Sequence, residues 1–259
     1  MNIRILGCSG SIAQGCRTTS FLLDDDVLID AGTGVGDLTL DELARIDHIL
    51  LSHSHLDHVL GVPLLADSVM RRRHDRAPIQ VHALPETLQV LREHLFNDRL
   101  WPDFTRLPNP RRPVLALREF QHGDSLELGA ARRRVDILPA AHAVPACGFA
   151  VTAPSGRQWV YTGDTGPNPA LWSALAGRDV AQLVIEVAFA ESERAIAADS
   201  RHHCPSSLAE ELKRLPELAD VLLTHIKPGE LDTIVADLAQ RLPDRRLQTL
   251  SAGQVLHLA

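Results

Sequence analysis

One short run, Ser52-His53-Ser54-His55-Leu56-Asp57-His58, constrains this chain more than any other feature of its sequence. It places three imidazoles and one carboxylate within six positions, directly after a largely apolar stretch. Imidazole nitrogen and carboxylate oxygen suit zinc, and also iron or manganese. Residues two apart project to the same side of an extended segment, so His53 and His55 share one side, whereas Asp57 and His58 stand where a helix would begin. The pattern predicts a strand that ends in a loop carrying ligands for two metal ions rather than one.

Three later residues, His142, Asp164 and His225, each follow a segment predicted to be a strand. A two-metal site needs about six or seven protein ligands, including a carboxylate to bridge ions roughly 3.5–4 Å apart. Asp30 closes another predicted strand and is a candidate partner for a ligand, because ligating imidazoles usually donate their other N–H to such a group. An ordinary acid in a turn would fit that position equally well. The glycine-rich segment 32–36 is expected to let the backbone pass close beneath the metal-binding loop.

Predicted hairpins come first in the chain, and strands then alternate with helices. The apolar spacing predicts helices over residues 40–45, 56–71, 85–95, 171–176, 206–215 and 231–241. This order is neither purely βαβ nor all-β, and we find no internal repeat, low-complexity segment or linker. With 259 residues, of which 45% are hydrophobic, the chain can bury a large core. We therefore expect a single α+β domain spanning residues 1–259.

Composition narrows the class of protein. The formal net charge of −7 argues against a protein that coats nucleic acid, although bound metals, which are not in this count, leave room for a local cationic site. The scattered Cys8, Cys16, Cys147 and Cys204 are expected to be free thiols in a reducing compartment. No apolar run reaches membrane-spanning length, and the first residues lack the pattern of a signal peptide. These features predict a cytoplasmic protein without a membrane partner.

The His-x-His-x-Asp-His run and the later ligand candidates resemble the signature of the metallo-β-lactamase superfamily, hydrolases with a binuclear metal site. The resemblance implies a four-layer αβ/βα sandwich with the metals at one edge between the sheets. It assigns His53, His55 and His142 to one ion, Asp57, His58 and His225 to the other, and Asp164 to a bridge. It also implies two divalent ions, with zinc expected and iron or manganese as alternatives, and a bridging hydroxide as the nucleophile. The other eight histidines, at positions 48, 74, 82, 94, 122, 202, 203 and 257, are read as non-ligands.

Three further stretches, at 55–68, at 83–103 and at 185–189 together with 202–205, are similar to class II 3′,5′-cyclic nucleotide phosphodiesterases. The last of them carries E-x-x-F and H-x-x-P elements, with a departure from the family at Cys204. The resemblance implies hydrolysis of a cyclic nucleotide, such as cAMP, to the 5′-monophosphate. It implies that Asp57 or His203 handles the proton, that His203 contacts the phosphate, and that Glu186 orients His203. Spacing alone fits His203 equally well as a surface residue at a helix start.

Other functions stay open at this level. One is another phosphodiesterase of the superfamily, such as a tRNA 3′-end endonuclease, although no obvious basic RNA-binding arm is present. A thioester or lactam hydrolase is a second, and a metal-dependent binding module without turnover is a third, against which the complete ligand set argues. We expect a small-molecule phosphodiester as the partner, and nucleic acid is not expected. The aromatic residues of segment 96–104 could pack internally, line a pocket or contact a second subunit, so a homodimer stays possible in principle.

Overall fold

The computed structural model describes residues 1–215 and 219–259. In this part of the chain the strands are β1 (Asn2–Gly7), β2 (Ser20–Leu23), β3 (Val27–Ile29), β4 (His48–Leu50), β5 (Ile79–Ala83), β6 (Pro108–Asn109), β7 (Arg112–Pro113), β8 (Leu115–Glu119), β9 (Ser125–Leu128), β10 (Arg133–Pro139), β11 (Cys147–Thr152), β12 (Gln158–Tyr161), β13 (Val180–Glu186), β14 (Asp220–Thr224), β15 (Leu247–Thr249) and β16 (Val255–His257). The helices are α1 (Leu40–Arg45), α2 (Leu56–Val59), α3 (Gly61–Val69), α4 (Pro85–Val90), α5 (Pro169–Leu175), α6 (Arg194–Ser200), α7 (Pro205–Leu212) and α8 (Leu231–Arg241). Short 3₁₀ turns span Thr33–Asp37 and Glu191–Glu193, and a π-helical turn over Leu91–Leu95 continues α4.

Two mixed sheets carry the fold. The first has the strand order β16-β1-β2-β3-β4-β5-β8, and the second has the order β15-β14-β13-β12-β11-β10-β9. Strands β3, β4, β5 and β8 pair in parallel, and so do β12, β13, β14 and β15, while the remaining pairs within these sheets are antiparallel. Each sheet therefore has one edge at which several parallel strands end together.

Three apolar cores separate four layers. One core lies between the sheets, one lies between the first sheet and helices α1, α3 and α4, and one lies between the second sheet and α5, α7 and α8. Representative members are Phe21 and Trp159 between the sheets, Ile49 and Leu88 under the first helix layer, and Ile185 and Leu238 under the second. Burying a side chain of this kind stabilises the fold by about 1.5–3 kcal/mol. The order helix, sheet, sheet, helix confirms the predicted four-layer αβ/βα sandwich.

Strand β13 shows how the sequence produces this arrangement. Its residues read as a nearly continuous apolar run because a parallel strand in the middle of the sandwich is covered on both faces. Val184 packs between the sheets, whereas Leu183 and Ile185 pack beneath the helices. The run ends at Glu186, whose side chain is fully buried at the edge of the sheet. A buried acid at that place needs specific partners, and these are described below.

The predicted helix over residues 56–71 is two helices, α2 and α3, which meet at Gly61. The Gly61 N–H donates to the Ala31 carbonyl at 2.6 Å, and a Cβ on Gly61 would lie 2.8 Å from the same oxygen. The predicted close passage of the glycine-rich segment is also present, because a Cβ on Gly32 would lie 2.6 Å from the Asp57 carbonyl oxygen. Helix α6 was not predicted from the sequence. It ends at Arg201, which has a left-handed backbone with φ of 55°.

The aromatic segment 96–104 packs inside the molecule. Phe96 and Phe104 are buried in the core beneath the first helix layer, and Trp101 packs partly against that core. None of these three side chains lines the cavity described below. Internal packing is therefore the interpretation that fits the segment.

The thiols and the helices agree with two further expectations from composition. Cys8 and Cys16 are half-buried, Cys147 and Cys204 are buried, and all four are free thiols. Among the described residues, the helices are too short or too polar for any of them to cross a lipid bilayer.

Candidate metal centre

The predicted ligands gather where strands end. Strand β4 leads to His53 and His55, β10 leads to His142, β12 leads to Asp164, and β14 leads to His225. Strands β10 and β12 run in the same direction because each is antiparallel to β11, and β12 is parallel to β13, which is parallel to β14. The carboxyl ends of these strands therefore meet at one edge, where ligands commonly bind in sheets of this kind.

The ligand atoms form two groups that share a carboxylate. One group is His53, His55 and His142, and the other is Asp57, His58 and His225; within each group the atoms lie within 4.8 Å of one another. Asp164 lies between the groups, and its Oδ2 is 3.3 Å from the Nε2 atoms of both His58 and His225. The same oxygen is 3.8 Å from His53 Nε2. Residues more than 100 positions apart therefore converge in the two triads and the central acid that the sequence predicts.

Several atoms of the cluster are suited to a cation. His53 Nε2, His58 Nε2 and Asp164 Oδ1 are buried, and none has a hydrogen-bond partner among the described residues. Leaving a buried polar atom unsatisfied costs about 1–3 kcal/mol, so a group of such atoms at one place needs an explanation. Nitrogen and carboxylate oxygen donors around a shared centre match the preferences of zinc, iron and manganese. The residues present therefore fit two divalent ions.

The pKa values of His53 and Asp164 agree with that fit. Burial lowers the pKa of His53 well below its ordinary value, which favours the neutral ring, the form that binds a metal. Burial alone would raise the pKa of Asp164. The neighbouring His225 and His58 nevertheless hold it well below its ordinary value, so this acid is ionised.

Asp30 organises one side of the cluster. It is fully buried, with a left-handed backbone at φ of 53°. Its Oδ1 accepts from the Ser52 N–H at 2.7 Å, and its Oδ2 accepts from Ser52 Oγ at 2.7 Å, from His58 Nδ1 at 2.8 Å and from the Tyr161 hydroxyl at 3.0 Å. Burial lowers the pKa of His58, but the Asp164 and Asp30 carboxylates raise it well above its ordinary value. Asp30 thus lies against a predicted ligand, as the sequence suggested, and leaves His58 Nε2 to face the cluster.

Other ligand rings are oriented in the same way. His142 Nδ1 lies 3.2 Å from the Arg201 carbonyl oxygen, which can only accept, so the proton sits on Nδ1 and Nε2 is left for a metal. Arg201 Nη1 in turn donates to the His142 carbonyl at 2.8 Å. His53 Nδ1 is 3.0 Å from Ser52 Oγ, whose own proton goes to Asp30. The left-handed turn at Arg201 therefore fixes a ring that is 59 positions away in the chain.

The structure places His203 away from the cavity, although the sequence predicts that it contacts the phosphate. Its ring is 1% exposed, its Nδ1 lies 3.0 Å from Ser207 Oγ, and it does not line the cavity at the cluster. The neighbouring His202 does line that cavity. The structure describes all eight histidines that were predicted not to be ligands. Among these eight, His202 alone lines the cavity. The H-x-x-P element itself begins at His202, and that was the sequence signal for the histidine that lines the cavity.

Glu186 fixes the orientation of His202. Its Oε1 lies 2.6 Å from His202 Nδ1 and accepts from the Thr165 N–H at 3.0 Å, while its Oε2 accepts from the Ala188 N–H at 3.1 Å. Burial lowers the pKa of His202, but the charge and hydrogen bond of Glu186 raise it above the ordinary value. The His202 ring stacks on His225 with centroids 5.4 Å apart and an interplanar angle of 11°. Glu186 thus holds the imidazole of His202 beside the candidate ligands, whereas the sequence predicted that it orients His203.

A cavity of about 440 Å³ opens over the cluster, within the size range of small-molecule sites. Its lining is Gly10, Ser11, Ile12, Thr18, Thr33, His55, Leu56, Asp57, Leu60, Asp164, His202, His225 and Lys227. Ile12 and Leu56 are 69% and 60% exposed and form an apolar part of the wall. The loop that carries Ile12 lies tightly against the last ligand, because a Cβ on Gly10 would be 2.4 Å from the His225 carbonyl oxygen.

A four-layer sandwich with two His- and Asp-rich triads at one edge defines a hydrolase that can hold divalent metal ions. A model of the beta-lactamase superfamily domain matches residues 26–226, and the chain belongs to this superfamily. A probable 3′,5′-cyclic-nucleotide phosphodiesterase of Yersinia pestis is 27% identical over 277 aligned positions, covering 86% of this chain and 77% of that protein. A ribonuclease Z of Bradyrhizobium sp. (strain ORS 278) is 30% identical over 299 aligned positions, covering 93% of this chain and 95% of that protein. The crystal structure of unliganded yeast PDE1 has the same fold, with a TM-score of 0.84, 19% identity and 99% of both chains covered.

Proposed function

We propose that this protein is a phosphodiesterase that hydrolyses 3′,5′-cyclic nucleotides, such as cAMP, to 5′-monophosphates, with two divalent ions, for which zinc is the expected metal and iron or manganese are the alternatives. The observation that carries the proposal is the cavity of about 440 Å³ directly over both ligand triads. Its apolar wall suits a nucleobase, and its polar floor suits a phosphate. The similarity to a probable cyclic-nucleotide phosphodiesterase over most of the chain supports the same substrate class.

Two triads and Asp164 would hold the ions, and the protein's own side chains handle the protons. When bound, the ions would supply Lewis-acid stabilisation of oxygen and a lowered pKa of water. Asp57 lines the cavity with its side chain 32% exposed, so it can accept a proton from an attacking water. His202, whose Nδ1 is engaged by Glu186, has Nε2 available to give a proton to the leaving 3′-oxygen. The apolar wall at Ile12 and Leu56 positions the nucleoside.

A second candidate function is endonucleolytic cleavage of a tRNA precursor at its 3′ side. The observation in its favour is the similarity to a protein named ribonuclease Z over nearly the whole of both chains. The net charge of −7 and a cavity sized for a small molecule favour the cyclic nucleotide instead.

The test compares substrates with and without metal. We expect the metal-loaded protein to hydrolyse both bis-p-nitrophenyl phosphate and cAMP. A chelator should lower both rates at least about 100-fold, because the ions provide several kcal/mol of transition-state stabilisation, and zinc or manganese should restore them. Release of 5′-AMP is followed by chromatography.

Two outcomes would redirect the assignment. Hydrolysis of the chromogenic ester, with no turnover of any 3′,5′-cyclic nucleotide, would reject the cyclic-nucleotide proposal. If the same preparation also cleaved a tRNA precursor at its 3′ side, the second candidate would replace the first.

The adjacent histidines provide a matched pair for the proton donor. We expect His202→Ala to lower kcat by about 10²–10⁴-fold, as loss of a general acid does, while the metal content stays unchanged. His203→Ala should keep kcat near that of the wild type and lower only thermal stability, because its ring is buried away from the cavity. Rates on cAMP, together with metal analysis, separate the two variants. The reverse pattern would restore the assignment of His203.

A further inference from the structure

Lysine is rare in this chain. Lys213 and Lys227 are its only lysines, beside 24 arginines. Lys213 follows α7 on the surface, with its side chain 62% exposed and its Nζ 2.6 Å from Glu210 Oε1. Lys227 follows β14, two positions after the ligand His225, and lines the cavity over the metal cluster. One lysine is therefore an ordinary surface cation, and the other belongs to the site.

Among the residues that the structure describes, the ammonium of Lys227 has no acidic partner. Its Nζ lies 4.8 Å from the centroid of the Phe189 ring. Among residues 1–215 and 219–259, no carboxylate forms an ion pair with it and no group accepts a hydrogen bond from it. A cation–π contact fixes the position of an ammonium group but leaves its charge uncompensated. The hydrogen-bond donors of this half-buried cation are thus not used by any described residue, and the side chain lines the cavity over the cluster.

The position of the Lys227 ammonium near the metal cluster suits the binding of a phosphate ester. The cluster at Asp57, Asp164 and His225 lines the same cavity as Lys227, so a bound molecule can contact both. A phosphate ester has several non-bridging oxygens, and one can face the cluster while another faces Lys227. An ammonium is a compact charge on a flexible stem, and it binds a single oxygen without the planar geometry that a guanidinium requires.

We propose that the Lys227 ammonium binds a non-bridging phosphate oxygen of substrate and product, and that it makes the site selective for anionic phosphate esters over neutral molecules. The identity of the ester as a nucleotide rests on the proposed function; the recognition of its charge by Lys227 does not. The phosphate then lies between the metal ligands and Lys227, and the nucleoside extends toward Ile12 and Leu56.

The test measures binding, so it does not depend on turnover. Metal-loaded wild type, Lys227→Gln, Lys227→Arg and Lys213→Gln are titrated with AMP and with adenosine by calorimetry. Lys227→Gln should weaken AMP at least about tenfold, because a hydrogen bond to a charged group is lost. Lys227→Arg should keep most of the affinity. Lys213→Gln makes the same charge change on the surface and should bind AMP as the wild type does. Adenosine, which lacks the phosphate, should bind all four proteins equally.

Each outcome decides the matter. Equal AMP affinity in Lys227→Gln and wild type overturns the proposal, and so does an equal loss for adenosine and AMP. Absence of AMP binding to the metal-loaded wild type at millimolar concentration also overturns it. A selective loss of AMP binding in a protein that does not hydrolyse cAMP supports Lys227 and refutes the proposed function alone. Turnover of cAMP by the wild type, together with unchanged AMP binding in Lys227→Gln, supports the proposed function and refutes the role of Lys227. Metal content, measured for every variant, should equal that of the wild type.

Discussion

Replacing Asp164 with asparagine is expected to lower turnover of bis-p-nitrophenyl phosphate by at least about 10³-fold and to reduce the bound metal below two ions per chain. Asp164 is 2% exposed, and its Oδ2 approaches the imidazoles of both triads. Asparagine keeps the volume and one oxygen but removes the negative charge that two adjacent cations require. The stabilisation at stake is several kcal/mol, and each 1.36 kcal/mol is a tenfold change in rate.

The measurement is kcat on the chromogenic ester, together with metal analysis of the same preparation. Asp232→Asn is the matched control, because it makes the same change on the exposed first turn of α8 and should leave both quantities unchanged. An Asp164→Asn protein that retains two ions and wild-type turnover would remove the central carboxylate from the proposed site.

The candidate ligands could be found in the sequence because most of them stand in a local pattern, while their grouping into two triads was implied by the family resemblance. The spacing of His53, His55 and His58 is a property of six consecutive residues, and the candidates at His142 and Asp164 were found because each follows an apolar strand. Strands end in loops at a sheet edge whatever the rest of the chain does, so the type and approximate place of the site follow from pattern alone.

The part that could not be predicted depends on contacts between distant segments. Which of His202 and His203 faces the cavity depends on the left-handed turn at Arg201, which has no sequence signature of its own, and on which of the two rings reaches the buried Glu186. Lys227 and Ile12 share a cavity wall because strand order brings the two segments together, as the bond from the Gly10 N–H to the Ile226 carbonyl at 3.1 Å shows. The family resemblance pointed to the right segment, but of its two adjacent histidines it is His202, and not the predicted His203, that lines the cavity.

Replacing Asp30 with asparagine is expected to damage folding and metal binding together. The carboxylate accepts hydrogen bonds from Ser52, His58 and Tyr161 in a fully buried place. Losing a buried charged acceptor costs about 3 kcal/mol, which corresponds to a fall in Tm of roughly 6–12 °C for a domain of this size. Asparagine has the same shape and tolerates the left-handed backbone at this position, so neither a cavity nor backbone strain contributes to the loss.

The tautomer of His58 connects the fold to the metal. In Asp30→Asn the side-chain oxygen can still accept from the Ser52 N–H, but the amide nitrogen then faces His58 Nδ1, and two donors cannot bond to each other. The His58 proton must move to Nε2, the nitrogen that faces the cluster, and a protonated nitrogen cannot bind a cation. We therefore expect metal affinity to fall by about 10–100-fold. Thermal melts in the presence of a chelator measure the loss of stability alone. Metal titrations of the folded variant measure the loss of metal affinity.

Tyr161→Phe is the graded control for this network, because it removes one of the donors to Asp30 and leaves the others in place. It should lower the unfolding free energy by about 1 kcal/mol and leave metal affinity close to that of the wild type, since the proton on His58 Nδ1 keeps its acceptor. Asp30→Asn could instead have the same Tm and metal affinity as Tyr161→Phe. In that case the Asp30 carboxylate would be only one hydrogen-bond acceptor among several. The tautomer of His58 would then have to be set by the cluster itself, and Asp30 would not be the link between the sheet and the metals.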